Sequence, residues 1–188
     1  DLLRKIEADA KKKLSLTDAS ADESMLARCR AFLKMEMHRI KLMHQNGGGG
    51  LDICRARSAV IDHVVRHLWE TACLTLSEQA RREFPPIAVV ALGGYGRGEM
   101  NPHSDIDLMF LDEGQVAGHS KPLPVLEKMM DGVWLPLFDL GFKPGLVVIE
   151  HDPGLAQALH GAFAVEDRWD RRSALRKLSA RLARHTVS

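Results

Sequence analysis

The stretch that most restricts how this chain can fold is residues 87–111, IAVVALGGYGRGEMNPHSDIDLMFL. Residues 87–92 form an apolar run of strand length that breaks at Gly93 and Gly94. A glycine-dense polar loop follows, and Asp105-Ile106-Asp107 opens a second apolar run through 108–111. The interval between the runs is short for a helical crossover but sufficient for an antiparallel return over one short helical turn. The pattern reads as strand, phosphate-sized loop, and strand with two carboxylates.

On a strand, residues two apart share a face, roughly 6.5–7 Å from each other, so Asp105 and Asp107 project together while Ile106 turns into the core. Two carboxylates so placed can hold Mg²⁺, which keeps several waters and completes its shell with substrate phosphate oxygens. Gly93 and Gly94, lacking Cβ atoms, let backbone N–H groups approach phosphate closely if a helical turn starts there. The competing reading of the carboxylates is a solvated strand start, with Asp105 capping a turn. Two other phosphate-binding patterns are excluded: residues 94–98 have the spacing GxGxG rather than GxGxxG, and no Gly-Lys-Ser/Thr is present.

Gly93-Gly94-Tyr95 followed by Asp105-x-Asp107 resembles the signature of the DNA polymerase β-like nucleotidyltransferase superfamily. The fuller string GGYGRGEMNPHSDIDL is similar to that of bacterial protein-PII uridylyltransferases, as is the upstream segment 54–71, CRARSAVIDHVVRHLWET. The resemblance covers residues 50–145. It implies Mg²⁺-dependent transfer of a nucleoside monophosphate, UMP from UTP, to a protein hydroxyl such as a tyrosine of PII, a role in nitrogen regulation. Asp105 and Asp107 would be catalytic and metal-binding, with Gly93, Gly94, Arg97 and Ser104 binding nucleotide. Protein adenylyltransferases share much of the pattern. A nucleotide-binding regulatory domain without turnover is a further alternative. The sequence departs from the uridylyltransferases after Lys143-Pro144-Gly145, where 146–149 reads LVVI in place of their polar strand. Superfamily members use a third carboxylate from a neighbouring strand, for which Glu150 and Asp152 are the nearest candidates, set against an exposed strand end and a helix cap.

Individual residues of the loop carry alternatives. Arg97 can meet a phosphate or pair with Glu99 or Asp105. Ser104 can bind phosphate, orient a carboxylate, or close a turn. Tyr95, the chain's one tyrosine, reads as packing support.

Most of the rest of the chain of 188 residues reads as helical. Residues 1–20 are charged and weakly periodic, and Lys11, Lys12 and Lys13 read as a solvated face. A helix capped by Ser20 or Asp22 runs to about residue 46, ended by the glycines at 47–50. A second spans 51–82 with a break near 74–77; Ile53, Val60, Val64 and Leu68 are its buried stripe, and Arg55, Arg57, Asp62, Arg66 and Glu70 point mostly outward. His63 and His67, one turn apart, read as surface histidines rather than metal ligands. A third helix covers 122–140 and a strand 146–149. Short helices are expected near 155–160 and 173–185, the latter arginine-rich.

The fold class expected is α/β (α+β), a small mixed sheet preceded by helices, for which the resemblance implies polymerase β-like topology. The expected divisions are 1–84 helical, 85–152 catalytic core and 153–188 a C-terminal helical segment. Net charge of +1 gives no electrostatic case for nucleic acid. No membrane span or signal peptide is visible, and three cysteines without CxxC spacing fit a cytoplasmic protein. A start at Asp1 suggests part of something longer.

Overall fold

The computed structural model describes residues 2–16, 24–82, 87–112 and 124–151. The expected caps at Ser20 and Asp22, the candidate carboxylate of Asp152 and the helices expected beyond residue 152 lie outside the described residues.

Helix α1 (Leu2–Lys13) arises where a charged segment had no clear period. Its buried stripe is thin, with Ile6, Ala10 and Leu14 four residues apart, so the charges between them hide the signal. Its lysines are exposed, and Lys11 pairs with Glu7 at 2.8 Å. Helix α2 (Met25–Gln45) starts at Ser24, whose Oγ accepts the N–H of Ala27 at 3.2 Å. Arg28 from α2 donates to the carbonyl of Lys13 at 3.1 Å and to that of Ser15, closing the end of α1. Arg39 bridges Glu36 and Asp9, each at 2.8 Å. Burial holds the Glu36 carboxyl above its ordinary pKa, with Arg39 acting against it. At the end of α2, Gly47 takes φ +83°, and Gly48 N–H reaches back to the Met43 carbonyl at 2.9 Å, a turn that favours glycine.

Helix α3 (Gly50–Leu74) is the centre of the molecule, and a break separates it from α4 (Glu78–Arg82), as the sequence indicates. Because α1, α2 and α6 all pack on it, its buried surface is wider than one stripe and takes in Ala56, Ile61, Val65 and Ala72 beside the expected Ile53, Val60, Val64 and Leu68. The two histidines follow from this, and the surface reading is corrected: His67 is 3% exposed, and His63 meets Phe32 edge-on at 6.5 Å. Burial holds both imidazoles below their ordinary pKa, with Arg66 reinforcing the effect at His63 and Arg28 at His67.

Strands β1 (Ile87–Ala91), β2 (Ile106–Asp112) and β3 (Pro144–His151) form a mixed sheet in the order β1-β2-β3, antiparallel then parallel. Helix α5 (Gly93–Gly96) lies between β1 and β2, and α6 (Pro124–Asp139) between β2 and β3. The chain is thus α+β, as expected. On β2, Ile106, Leu108 and Phe110 are at most 1% exposed and join the same core as Ile6, Phe32, Val60 and Leu68. Trp69 of α3 packs on Phe110 with ring centroids 6.2 Å apart. One hydrophobic core therefore runs from α1 to the sheet.

α6 ends as expected at Gly141, where φ is +84° and Phe142 N–H bonds to the Leu137 carbonyl at 3.0 Å. It meets α3 closely at Gly132, where an added Cβ would stand 2.6 Å from the Cβ of Ala72. Gly132→Ala is expected to destabilise the fold: overpacking costs about 1–3 kcal/mol, against a gain of about 1 kcal/mol in helix propensity. Urea unfolding measures the net effect, and a variant more stable than the parent would show that the two helices part readily.

Candidate functional site

Strand pairing places the glycine turn against the carboxylates. Beyond β1, the Leu92 N–H still donates to the Asp107 carbonyl at 2.9 Å, so the two chains stay in register up to the second aspartate. Leu92 is extended, and Gly93 then turns the chain with φ +57° into the single turn of α5. Gly96 N–H bonds to the Leu92 carbonyl at 2.7 Å, and Glu99 N–H to the Gly94 carbonyl at 2.8 Å. Tyr95 and Met100, 3% and 1% exposed, peg both sides of this turn into the core. The Tyr95 ring is packed in the core, as its sequence context indicated, and burial drives the phenol well above its ordinary pKa.

The two glycines have different tasks. A Cβ on Gly93 would lie 2.9 Å from Asp107 Oδ2, whereas one on Gly94 would meet nothing closer than the Glu99 carbonyl at 3.5 Å. Gly93 is therefore required twice, by its positive φ and by the carboxylate it faces.

Alternation along β2 separates Asp107 from the core-facing Ile106 and Leu108. Asp107 is half-buried, and Asp105, one residue ahead of the strand, is exposed. The other predicted residues are engaged locally. Arg97 Nε donates to Glu99 Oε2 at 3.0 Å, with both side chains about half exposed. Ser104 Oγ accepts the Asn101 N–H and its own N–H donates to the Asn101 carbonyl, both at 3.1 Å. Arg97 thus pairs with Glu99, and the Ser104 hydroxyl closes a turn with Asn101.

β3 lies beside the pair, and its register bears on the third carboxylate. Ile106 is opposite Pro144 and Leu108 opposite Val147, with an irregularity between them. The stretch beside Asp107 is therefore Gly145-Leu146, which carries no polar side chain. Glu150 is opposite Leu111, four residues beyond Asp107 or roughly 13 Å along the strand. Among the described residues, no three or more of His, Cys, Asp and Glu gather in a metal-binding group.

One turn of α3 holds the loop that leads to Asp105. Ser58 Oγ, fully buried, donates to the Cys54 carbonyl at 3.0 Å and accepts the Met100 N–H at 3.2 Å. Arg57 Nη2 donates to the Pro102 carbonyl at 3.0 Å, and Cys54 Sγ to Asn101 Oδ1 at 3.4 Å. Arg57 is thus turned to the loop rather than outward, and burial lowers its pKa. Sequence reasoning missed this clamp because its loop partners lie more than forty residues away, and two of those three partners are backbone groups whose use a sequence does not reveal.

A profile of the GlnE family, described as glutamate-ammonia ligase adenylyltransferase, matches residues 3–121. Among curated proteins, the bifunctional uridylyltransferase/uridylyl-removing enzyme of Phenylobacterium zucineum is 38% identical over 102 residues, 54% of this chain and 10% of that protein. The enzymes of the same name from Acinetobacter baylyi and Methylococcus capsulatus are 37% and 31% identical, over 58% and 64% of this chain and 11% and 12% of theirs. The matched region thus spans about a tenth of these relatives' length. No solved structure matches the chain.

Proposed function

Because the chain belongs to the glutamate-ammonia ligase adenylyltransferase family, we propose that the turn at Gly93 and the carboxylates of Asp105 and Asp107 form a nucleotidyl-transfer site. The observation that carries this reading is the 2.9 Å approach of the Gly93 Cβ position to Asp107 Oδ2, which sets a glycine turn suited to phosphate directly against a carboxylate suited to metal. The mixed order of the sheet supports a polymerase β-like topology.

Asp105 and Asp107 would hold Mg²⁺, and the donor set fits. Two hard carboxylates leave the remaining ligand positions to water and phosphate, the division Mg²⁺ prefers. When bound, the metal supplies charge stabilisation on the phosphates. The chain's own residues do the rest. Backbone N–H groups at Gly93 and Gly94 face the phosphate oxygens, and Arg97 exchanges Glu99 for a phosphate. Ser104 keeps the turn before Asp105 closed. An acceptor hydroxyl attacks the α-phosphorus, and pyrophosphate leaves.

UTP is the favoured donor, since the matched curated relatives are named for uridylyl transfer, and a tyrosine of a PII-type protein is the favoured acceptor. On this reading the chain acts in cytoplasmic nitrogen regulation. Adenylyl transfer is the second reading, favoured by the family profile. A nucleotide-binding module without turnover is the third, favoured by Gly145 and Leu146 beside Asp107.

Pyrophosphate release should be measured from each of the four NTPs with Mg²⁺, alone, with PII and with glutamate-ammonia ligase. Release from UTP that requires PII and Mg²⁺ is the expected result. Release from ATP with the ligase would make the second reading correct, and Mg²⁺-dependent NTP binding without release the third. A chain that neither binds nor turns over any NTP would overturn the assignment.

A further inference from the structure

We infer that Ser58 on α3 is a positioning residue for the carboxylate pair, setting the place of Asp105 through the backbone of Met100; the catalytic part of this inference rests on the function proposed above. Nothing in the Gly-Gly or Asp-x-Asp pattern points to Ser58. Its hydroxyl is fully buried and used twice, as donor to Cys54 and acceptor from Met100. Met100 is itself 1% exposed, so its N–H has no access to water in exchange for the serine.

From Met100 the strain of any movement passes forward with little slack. Residues 101–104 are closed by the reciprocal bonds of Asn101 and Ser104. Arg57 holds the Pro102 carbonyl, and Cys54 the Asn101 side chain. Asp105 follows at once, and Ile106 is already tied to the Lys143 carbonyl at 3.2 Å. Three consecutive loop residues are thus gripped by one turn of α3, and Ser58 makes the buried one of the three contacts. Removing its oxygen leaves the Met100 N–H buried without an acceptor, a cost that the loop escapes by moving.

The test uses the full chain with Ser58→Ala and Ser58→Thr. In the alanine variant, kcat for transfer is expected to fall on the order of tenfold to a hundredfold, as for a small misplacement of reacting groups, with KM for the NTP within about twofold. Threonine keeps the hydroxyl and is expected to restore kcat. Amide hydrogen exchange gives a readout independent of activity: Ser58→Ala should speed exchange at Met100 and also at Ile106. Faster exchange confined to Met100, or a lowered melting temperature with kcat unchanged, would overturn the inference. If the parent chain transfers nothing, the proposed function fails, while exchange at Ile106 still decides whether Ser58 controls the position of the carboxylate segment.

Discussion

Asp107→Asn is expected to reduce nucleotidyl transfer by on the order of a thousandfold or more while leaving the fold in place. The carboxylate is half-buried and lies across from the glycine turn. Asparagine keeps its shape and loses its charge. A metal at such a site supplies several kcal/mol to the transition state, and each 1.36 kcal/mol is a factor of ten in rate. No packing is lost, since the side chain projects away from the core-facing Ile106 and Leu108, so the melting temperature should stay within a few degrees of the parent. Asp105→Asn is expected to act in the same direction. Transfer by Asp107→Asn within tenfold of the parent would remove Asp107 from the reaction and, with it, the site as proposed.

Gly93→Ala should be nearly as damaging to transfer, by another route. At φ +57° a side chain costs about 1–2 kcal/mol, and its Cβ would stand 2.9 Å from Asp107 Oδ2. The atom that must give way is the far end of a short side chain. Stability therefore falls by little more than the backbone cost, while Asp107 is turned from its place. Gly94→Ala is the control, because its Cβ finds ordinary contact at 3.5 Å or beyond and no positive φ is required. Unfolding free energies and transfer rates for both variants separate the effects. If Gly93→Ala retained parental turnover, the close approach to Asp107 would have no bearing on catalysis. Should Gly94→Ala lose turnover at full stability, the added Cβ would occupy space that a phosphate needs.

How much of this was legible in the sequence depended on whether the information was local. The glycines at 47 and 141 stop helices because the chain must turn left-handed there, a demand visible in one residue. The antiparallel return from β1 to β2 followed from a short interval between two apolar runs. The pairing of Ile106 with the core and Asp107 away from it followed from strand alternation. Helix α1 was not legible because Ile6, Ala10 and Leu14 are too few to stand out among charges. His63 and His67 were misjudged because the number of elements packed on α3 is a tertiary fact, and a single-stripe reading underestimates the burial of a central helix. The site divided in the same way. The opposition of glycine and carboxylate was implicit in the spacing, but the choice of Glu99 by Arg97 and the grip of Ser58 on Met100 depend on geometry.

The continuous core from Ile6 of α1 through Phe32 and Leu68 to Phe110 of β2 bears on how such a site can be inherited. A glycine turn and an Asp-x-Asp strand are short enough to look portable, as if they could be copied alone into other proteins. Here the strand that carries the aspartates shares its dry inner face with helices of the preceding half of the sequence and, through Val133 and Leu137, with α6. The smallest piece that could pass from one larger protein to another with its chemistry intact is then the helices and the sheet together. Variation in donor or acceptor would have to accumulate on the outer rim, at exposed positions such as Glu99 and His103, where the core places no constraint and the proposed chemistry uses no side chain.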